Sequence, residues 1–331
     1  MCDVEVSATA CGFGAAGLPT HGVAFAASPT LEGVHPVKNG VILALAGYAV
    51  YAWADALIKS LGGQLSVFEI GFFNILFASI FLLIFRPAGE RWRDFWRMKR
   101  PWAVNARAVL GVIAGVCSVY AFTHIPLAEA YALVFMCPLL VTLLSIVLLK
   151  EQVGIWRWAA VFAGFVGVLL VVRPGVRLLE LGHLAAFGAA LVAALSIILT
   201  RSLAAERQTT ILGMLCSYAL IFNGVAATAT GFTMPDWPTL ATLVLIGAFV
   251  AAGNRLSLLS LRLSPASVIA PTHYSQMIWA VLIGSYFFNE VPDAWTLIGL
   301  AVIAGAGLLT FARERIRLGR IRYYRLSRGR L

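Results

Sequence analysis

The chain has 331 residues, 60% of them apolar and only 12% charged, with a formal net charge of +10. Soluble domains run about 25% charged, so a soluble globular fold is excluded. The apolar runs are continuous and rich in Leu, Ala and Gly, each long enough to cross a hydrocarbon core of about 30 Å as a helix, and they lack the in/out alternation of a β-barrel. The class is an all-α polytopic membrane protein.

The positive charge lies in connecting segments and in the C-terminal tail rather than on one face, so nucleic acid is not an expected partner. The cysteines Cys2, Cys11, Cys117, Cys137 and Cys216 show neither paired spacing nor clustering with histidine. No disulfide framework, metal site or cofactor is expected from them.

In chain order, residues 1–36 are rich in Gly, Ala, Ser and Thr and carry no Lys or Arg. They read as a disordered leader or an over-extended start, without the basic beginning of a secretory signal. Ten spans follow, at 38–59, 66–86, 103–125, 127–149, 153–173, 181–203, 209–231, 239–261, 266–288 and 293–312. Between the second and third, Trp92, Phe95 and Trp96 share a helical face flanked by Arg91, Arg93, Arg97 and Lys99. That stretch is either a helix in the headgroup layer or a basic solvated loop. The Lys/Arg-rich connections alternate with poor ones so as to place both termini in the cytoplasm. The tail from 313 onward, with Arg315, Arg317, Tyr323, Tyr324 and Arg325, suits anionic lipid headgroups.

The chain repeats itself. Ile125–Pro174 and Leu263–Arg313 each hold an apolar run, an acidic elbow (Lys150-Glu151, Asn289-Glu290), a tryptophan (Trp156, Trp295) and a Gly-containing closing run, about 139 positions apart. Lys59-Ser60-Leu61 recurs as Arg201-Ser202-Leu203. Residues 37–174 and 175–312 are therefore two repeats of five spans. An odd count forces them to cross the membrane in opposite senses, a recurrent transporter design with the substrate site between the halves.

These elements resemble the bacterial EamA-type drug/metabolite transporter superfamily over residues 38–312. Ala54-Asp55-Ala56-Leu57-Ile58-Lys59 and His273-Tyr274-Ser275-Gln276-Met277-Ile278-Trp279 are similar to members described as metabolite or S-adenosylmethionine-type carriers. The resemblance implies ten helices and a central cavity lined by the first, third, fourth, sixth, eighth and ninth spans. It also implies a proline hinge that would be asymmetric here, because Pro138 has Met277 as its counterpart.

Ionisable residues inside a bilayer are expensive and face a bundle interior or a cavity. Tyr48, Tyr51, Asp55 and Lys59 form one stripe at helical spacing on the first span. Either Asp55 and Lys59 neutralise each other at i, i+4, or Asp55 meets a substrate cation or a proton. Asn254 and Arg255 interrupt the eighth span, where Arg255 needs an acid (Asp55 and Glu129 are candidates), a snorkelling route or an anionic substrate group. His273, Tyr274 and Gln276 fall within about one turn of the ninth span, with Trp279 as a further wall, and His273 titrates in a useful range. Tyr131 and Phe135 are candidate aromatic walls in the fourth span, behind Glu129 as a helix-terminal carboxylate. Ser196, Thr200, Asn74 and Asn223 read as interhelical hydrogen bonders, and Gly164, Gly167, Gly299, Gly305 and Gly307 as packing positions.

The function expected is a secondary-active carrier of a small polar or amphipathic metabolite (amino acid, nucleoside-like or S-adenosylmethionine-like) in a bacterial inner membrane. Proton coupling through Asp55 or His273 is a candidate, and a homo-oligomer is compatible with the sequence. The rival readings are an integral-membrane enzyme, for which His183 near Glu180 and His124 near Glu129 come nearest to an acid–base pair, and a non-transporting scaffold or sensor.

Overall fold

In a hydrocarbon solvent every backbone N–H and C=O must be satisfied within its own segment, which leaves the helix as the structure open to these runs. The computed structural model describes residues 36–84, 96–150, 154–175, 178–203 and 205–309. The leader, most of the tryptophan-rich connection, Glu151 and the basic tail lie outside them. Among the described residues the helices group into ten stretches. They are α1 (Pro36–Ser60), α2 (Val67–Ile84), α3 (Pro101–His124), α4 and α5 together (Leu127–Val134 and Cys137–Leu149), and α6 (Ile155–Val172). The second set is α7 (Leu181–Arg201), α8 (Gln208–Ala229), α9 (Trp237–Leu263), then α10 (Ala266–Ile269), a 3-10 turn (Ala270–Tyr274) and α11 (Ser275–Phe287) together, and α12 (Ala294–Leu309). Six of these stretches are long and apolar enough to cross a membrane, and three shorter apolar helices stand beside them.

The helices pack with two-fold logic. α1 lies along α9, and its repeat equivalent α7 lies along α3; α2 against α9 is answered by α8 against α3, and α1 against α11 by α7 against α5. α2 packs on its own equivalent, α8. Exchanging the halves therefore maps the bundle onto itself, which is the pattern of inverted repeats. The backbone carries the same signature: Lys150 and Asn289, equivalent positions in the two elbows, both adopt the left-handed region with φ of 53° and 55°. Each ends its span where a helix C-terminus commonly turns left-handed.

The fourth and ninth spans are both interrupted. Pro138 has no N–H to give the Val134 carbonyl, and the Met136 N–H closes instead on Leu133 O at 3.0 Å. In the ninth span Pro271 falls inside the 3-10 turn, and the Ser275 N–H turns back to Thr272 and His273. Both spans are broken, but not alike: the second carries a 3-10 turn where the first has only a short break. The proline of the second break, Pro271, stands six residues before the position aligned with Pro138.

Small residues bring backbones together where lipid supplies no hydrophobic drive. A Cβ on Gly167 would meet Gly299 O at 2.9 Å, and one on Gly299 would meet Gly167 O and Val171 Cγ2 at 2.6 Å, so α6 and α12 touch through this glycine pair. A Cβ on Gly164 would strike Leu139, and one on Gly307 the Tyr274 hydroxyl, whereas Gly305 faces open space and is not a packing glycine.

Candidate functional site

The two interrupted spans meet α1 in the middle of the bundle. All eight residues of α4 are buried, because α4 is wedged among α6, α7 and α11. Tyr131, on its second turn, donates its hydroxyl hydrogen to Asp55 Oδ2 of α1. Gln276 Nε2 of α11 reaches the same hydroxyl oxygen at 3.4 Å and shares a side-chain hydrogen bond with His273. Ring contacts then close a circuit. Tyr131 stacks on Phe135 with centroids 5.9 Å apart, Phe135 meets His273 at 4.4 Å, and His273 meets Tyr48 at 4.9 Å. Tyr48 lies 6.4 Å from Tyr51, one turn from Asp55 on the same helix face.

Residues from both halves thus surround one point. Tyr131, Phe135 and Gln276 are buried. Asp55, Tyr51 and His273 are half-buried. Tyr51 also shares a hydrogen bond with Ser257 of α9, and its ring lies over Gly253, where a Cβ would come within 2.9 Å of it. The missing side chain at Gly253 is what lets that ring lie flat between α1 and α9.

Not every residue of the expected set joins. Arg255 is exposed. The face of α9 that meets α1 carries Gly253, Leu256, Ser257 and Ser260, and at 100° per residue Arg255 points about 150° away from it. Its expected contact with Asp55 or Glu129 across the interior is corrected accordingly. Asn254 is half-buried on the flank of α9. Tyr274 turns outward from the circuit to Gly307 of α12 while its ring meets Phe135 at 5.3 Å. Trp279 packs on the edge of the main core.

Lys59 does not neutralise Asp55. Its ammonium bonds Glu290 at 2.6 Å and the Ile125 carbonyl at 2.7 Å, with the Phe288 ring 5.5 Å away. Glu290 in turn accepts from the Leu127 N–H at 3.0 Å. One ion pair therefore ties the end of α1, the α3–α4 link and the second elbow. Among the described residues Asp55 keeps a single hydrogen-bond partner, the neutral Tyr131 hydroxyl.

Three further links join the halves at this same end of the bundle, and the sequence reading missed all three. His183 Nε2 bonds Glu129 Oε2 at 2.8 Å between α7 and α4, while His183 and Glu180 exchange the hydrogen bonds of a capping box at the start of α7. Glu69 at the start of α2 accepts from the Thr233 N–H at 2.7 Å. Arg173 pairs with Asp293. The Thr296 N–H and hydroxyl first, and Arg173 after them, hold the Asp293 carboxyl down to about 2. At the opposite end Arg107 Nε donates to Thr200 Oγ1 at 2.8 Å and Arg100 to the Ser202 carbonyl at 3.2 Å. The signal that could have found Glu290 is its place in the repeated elbow, because Lys59 itself recurs as Arg201 in the other half.

A multi-pass bundle of inverted repeats, with interrupted helices from both halves facing a polar interior, is the architecture of a membrane transporter. The sequence pattern of the EamA-like transporter family matches twice, at residues 38–173 and 180–312. The chain belongs to that family. It is 31% identical over 219 residues to a riboflavin transporter of Rhizobium johnstonii, covering 66% of this chain and 72% of that one. An S-adenosylmethionine uptake transporter of Rickettsia prowazekii is 26% identical, covering 84% of this chain and 94% of that one. A pseudopaline exporter of Pseudomonas aeruginosa is 27% identical, covering 82% and 95%. A solved crystal structure with 16% identity superposes with a TM-score of 0.57 over 82% of this chain and 96% of that chain, a likeness of fold.

Proposed function

We propose that the protein is a secondary-active carrier that moves a small polar or amphipathic metabolite across a bacterial inner membrane by alternating access, with both termini cytoplasmic. Substrate binds within the circuit of Tyr48, Tyr51, Asp55, Tyr131, Phe135, His273 and Gln276. The observation that carries the reading is Asp55, a carboxylate deep in an apolar bundle whose neighbouring lysine is engaged elsewhere. An ionised group at that depth is tolerated where it lines a solute path or a proton path. The two interrupted spans contribute opposite walls, so a rocking of one half against the other opens the same groups to either side. Asp55 and His273 are the candidates for proton coupling. The described relatives include importers and an exporter by name, so direction is left to the assay.

The test is a thermal-shift screen of purified protein against a metabolite library, since a ligand that binds the folded state stabilises it by mass action. It is followed by uptake of each hit into proteoliposomes with and without an imposed pH gradient. Saturable flux of a stabilising ligand is expected. Flux indifferent to the gradient removes proton coupling, and ligands that stabilise without crossing remove the carrier.

A further inference from the structure

We infer that the central site selects organic cations, and that Asp55 is the residue that sets this preference; the inference rests on the carrier reading above. The charges of the bundle leave little choice. Among the described residues, Lys59, Arg173, Arg107 and Arg100 are all tied away from the circuit. Lys59 is held by Glu290 and the Ile125 carbonyl, Arg173 by Asp293, and Arg107 by Thr200 at one end of α3. Arg255 and Arg262 are exposed on α9. Glu129 is spanned to His183 outside the ring circuit. Among the described residues Asp55 is the carboxylate that joins the ring circuit, bonded there to the neutral Tyr131 hydroxyl, and Lys59, the nearest ammonium on its own helix, is held by Glu290.

The geometry around it suits a positive, flat or ring-bearing solute. Tyr131 bonds Asp55 Oδ2, and among the described residues no hydrogen bond engages Oδ1. A neutral hydroxyl stabilises the carboxylate without cancelling its charge. The rings of Tyr48, Phe135, Tyr131 and His273 stand around the same space, and aromatic faces attract a cation, most strongly where water is excluded. Gln276 adds an amide fixed between Tyr131 and His273, able to read one polar substituent. An anionic solute would meet the Asp55 charge, so the same feature that draws cations repels anions.

The probes are matched sets that differ in charge and little else. One set is S-adenosylmethionine, a sulfonium, against S-adenosylhomocysteine, the thioether without that charge. The second is 1-methylnicotinamide, nicotinamide and nicotinate, which are cationic, neutral and anionic on one ring. Each is titrated into the full-length protein in detergent by thermal shift and calorimetry, then tested for flux in proteoliposomes. The cationic member of at least one set is expected to bind, and to bind at least tenfold more tightly than its neutral mate. Asp55→Asn is expected to lower cation affinity roughly tenfold to a hundredfold, the loss of a charge-assisted contact, while leaving the neutral mate within threefold. Asp55→Glu recovers part of the preference and guards against a folding defect in the asparagine variant. Failure of all cations to bind, binding of neutral or anionic mates at equal strength, or a cation preference intact in Asp55→Asn overturns the inference. Cations that bind but never cross leave the charge preference standing and refute the carrier.

Discussion

Replacing Lys59 by Met or Glu290 by Gln breaks the ion pair that ties α1 to the second elbow. The pair is 2.6 Å long with side chains 10% and 21% exposed. At that separation and an effective dielectric of about 20 the attraction is on the order of 6 kcal/mol. Breaking a buried pair costs about 3–5 kcal/mol because the survivor keeps its desolvation penalty. Each survivor retains one hydrogen bond here, Lys59 to Ile125 O at 2.7 Å or Glu290 to Leu127 N at 3.0 Å. A single variant is therefore expected near the lower figure, about 3 kcal/mol. The assay is thermal unfolding in detergent followed by tryptophan fluorescence, where that loss corresponds to a Tm lower by roughly 6–12 °C. The double variant Lys59→Met/Glu290→Gln is expected to fall no further than the worse single, a coupling of about 1–3 kcal/mol. Lys59→Met combined with Asp55→Asn should instead be additive. Additivity in the Lys59/Glu290 cycle, or coupling in the Lys59/Asp55 cycle, refutes the assignment and restores the local i, i+4 pairing.

Tyr131→Phe removes the hydroxyl that holds Asp55 Oδ2, and ligand affinity by calorimetry should weaken roughly threefold to tenfold with the melting curve little changed. Gly299→Ala forces a Cβ to within 2.6 Å of Gly167 O; backbone cannot yield as a side chain does, so a loss of about 1–3 kcal/mol is expected in thermal melts. Asp293, held down to about 2, stabilises the fold above the ordinary carboxylate range near pH 4, and that stability disappears as pH falls through about 2. Wild type and Asp293→Asn should therefore differ in Tm at neutral pH and converge in strong acid; a constant gap refutes the linkage.

Much of the fold could be read along the chain because lipid simplifies the problem. Any long apolar run must be helical, and a repeated elbow with five spans per half dictates opposed orientation. The aligned elbows were read from the sequence, but the left-handed backbone at Lys150 and Asn289 was not. The interruption of the ninth span was harder to see. Alignment put Met277 opposite Pro138, and the break falls instead at Pro271, whose missing N–H acts wherever it stands. Spacing on one helix sufficed to place Tyr48, Tyr51 and Asp55 on a shared face, where the structure has Tyr48 and Tyr51 in ring contact and Asp55 bonded to Tyr131. It failed where partners lie far apart in sequence. Lys59 and Asp55 share the favourable i, i+4 spacing, yet an acid 231 positions away in sequence wins because it completes a network with Ile125 and Leu127. Arg255 failed for another reason, since an apolar helix without a clear polar face does not reveal which side of it meets lipid.

Flux in proteoliposomes bears most directly on the claim that both halves enclose a solute path through Asp55. Protein reconstituted with a cation that stabilises it should show saturable, ligand-specific uptake, reduced tenfold or more in Asp55→Asn and retained in Arg255→Gln. Equal flux in wild type and Asp55→Asn, or no flux above protein-free vesicles for any ligand that binds, would contradict it.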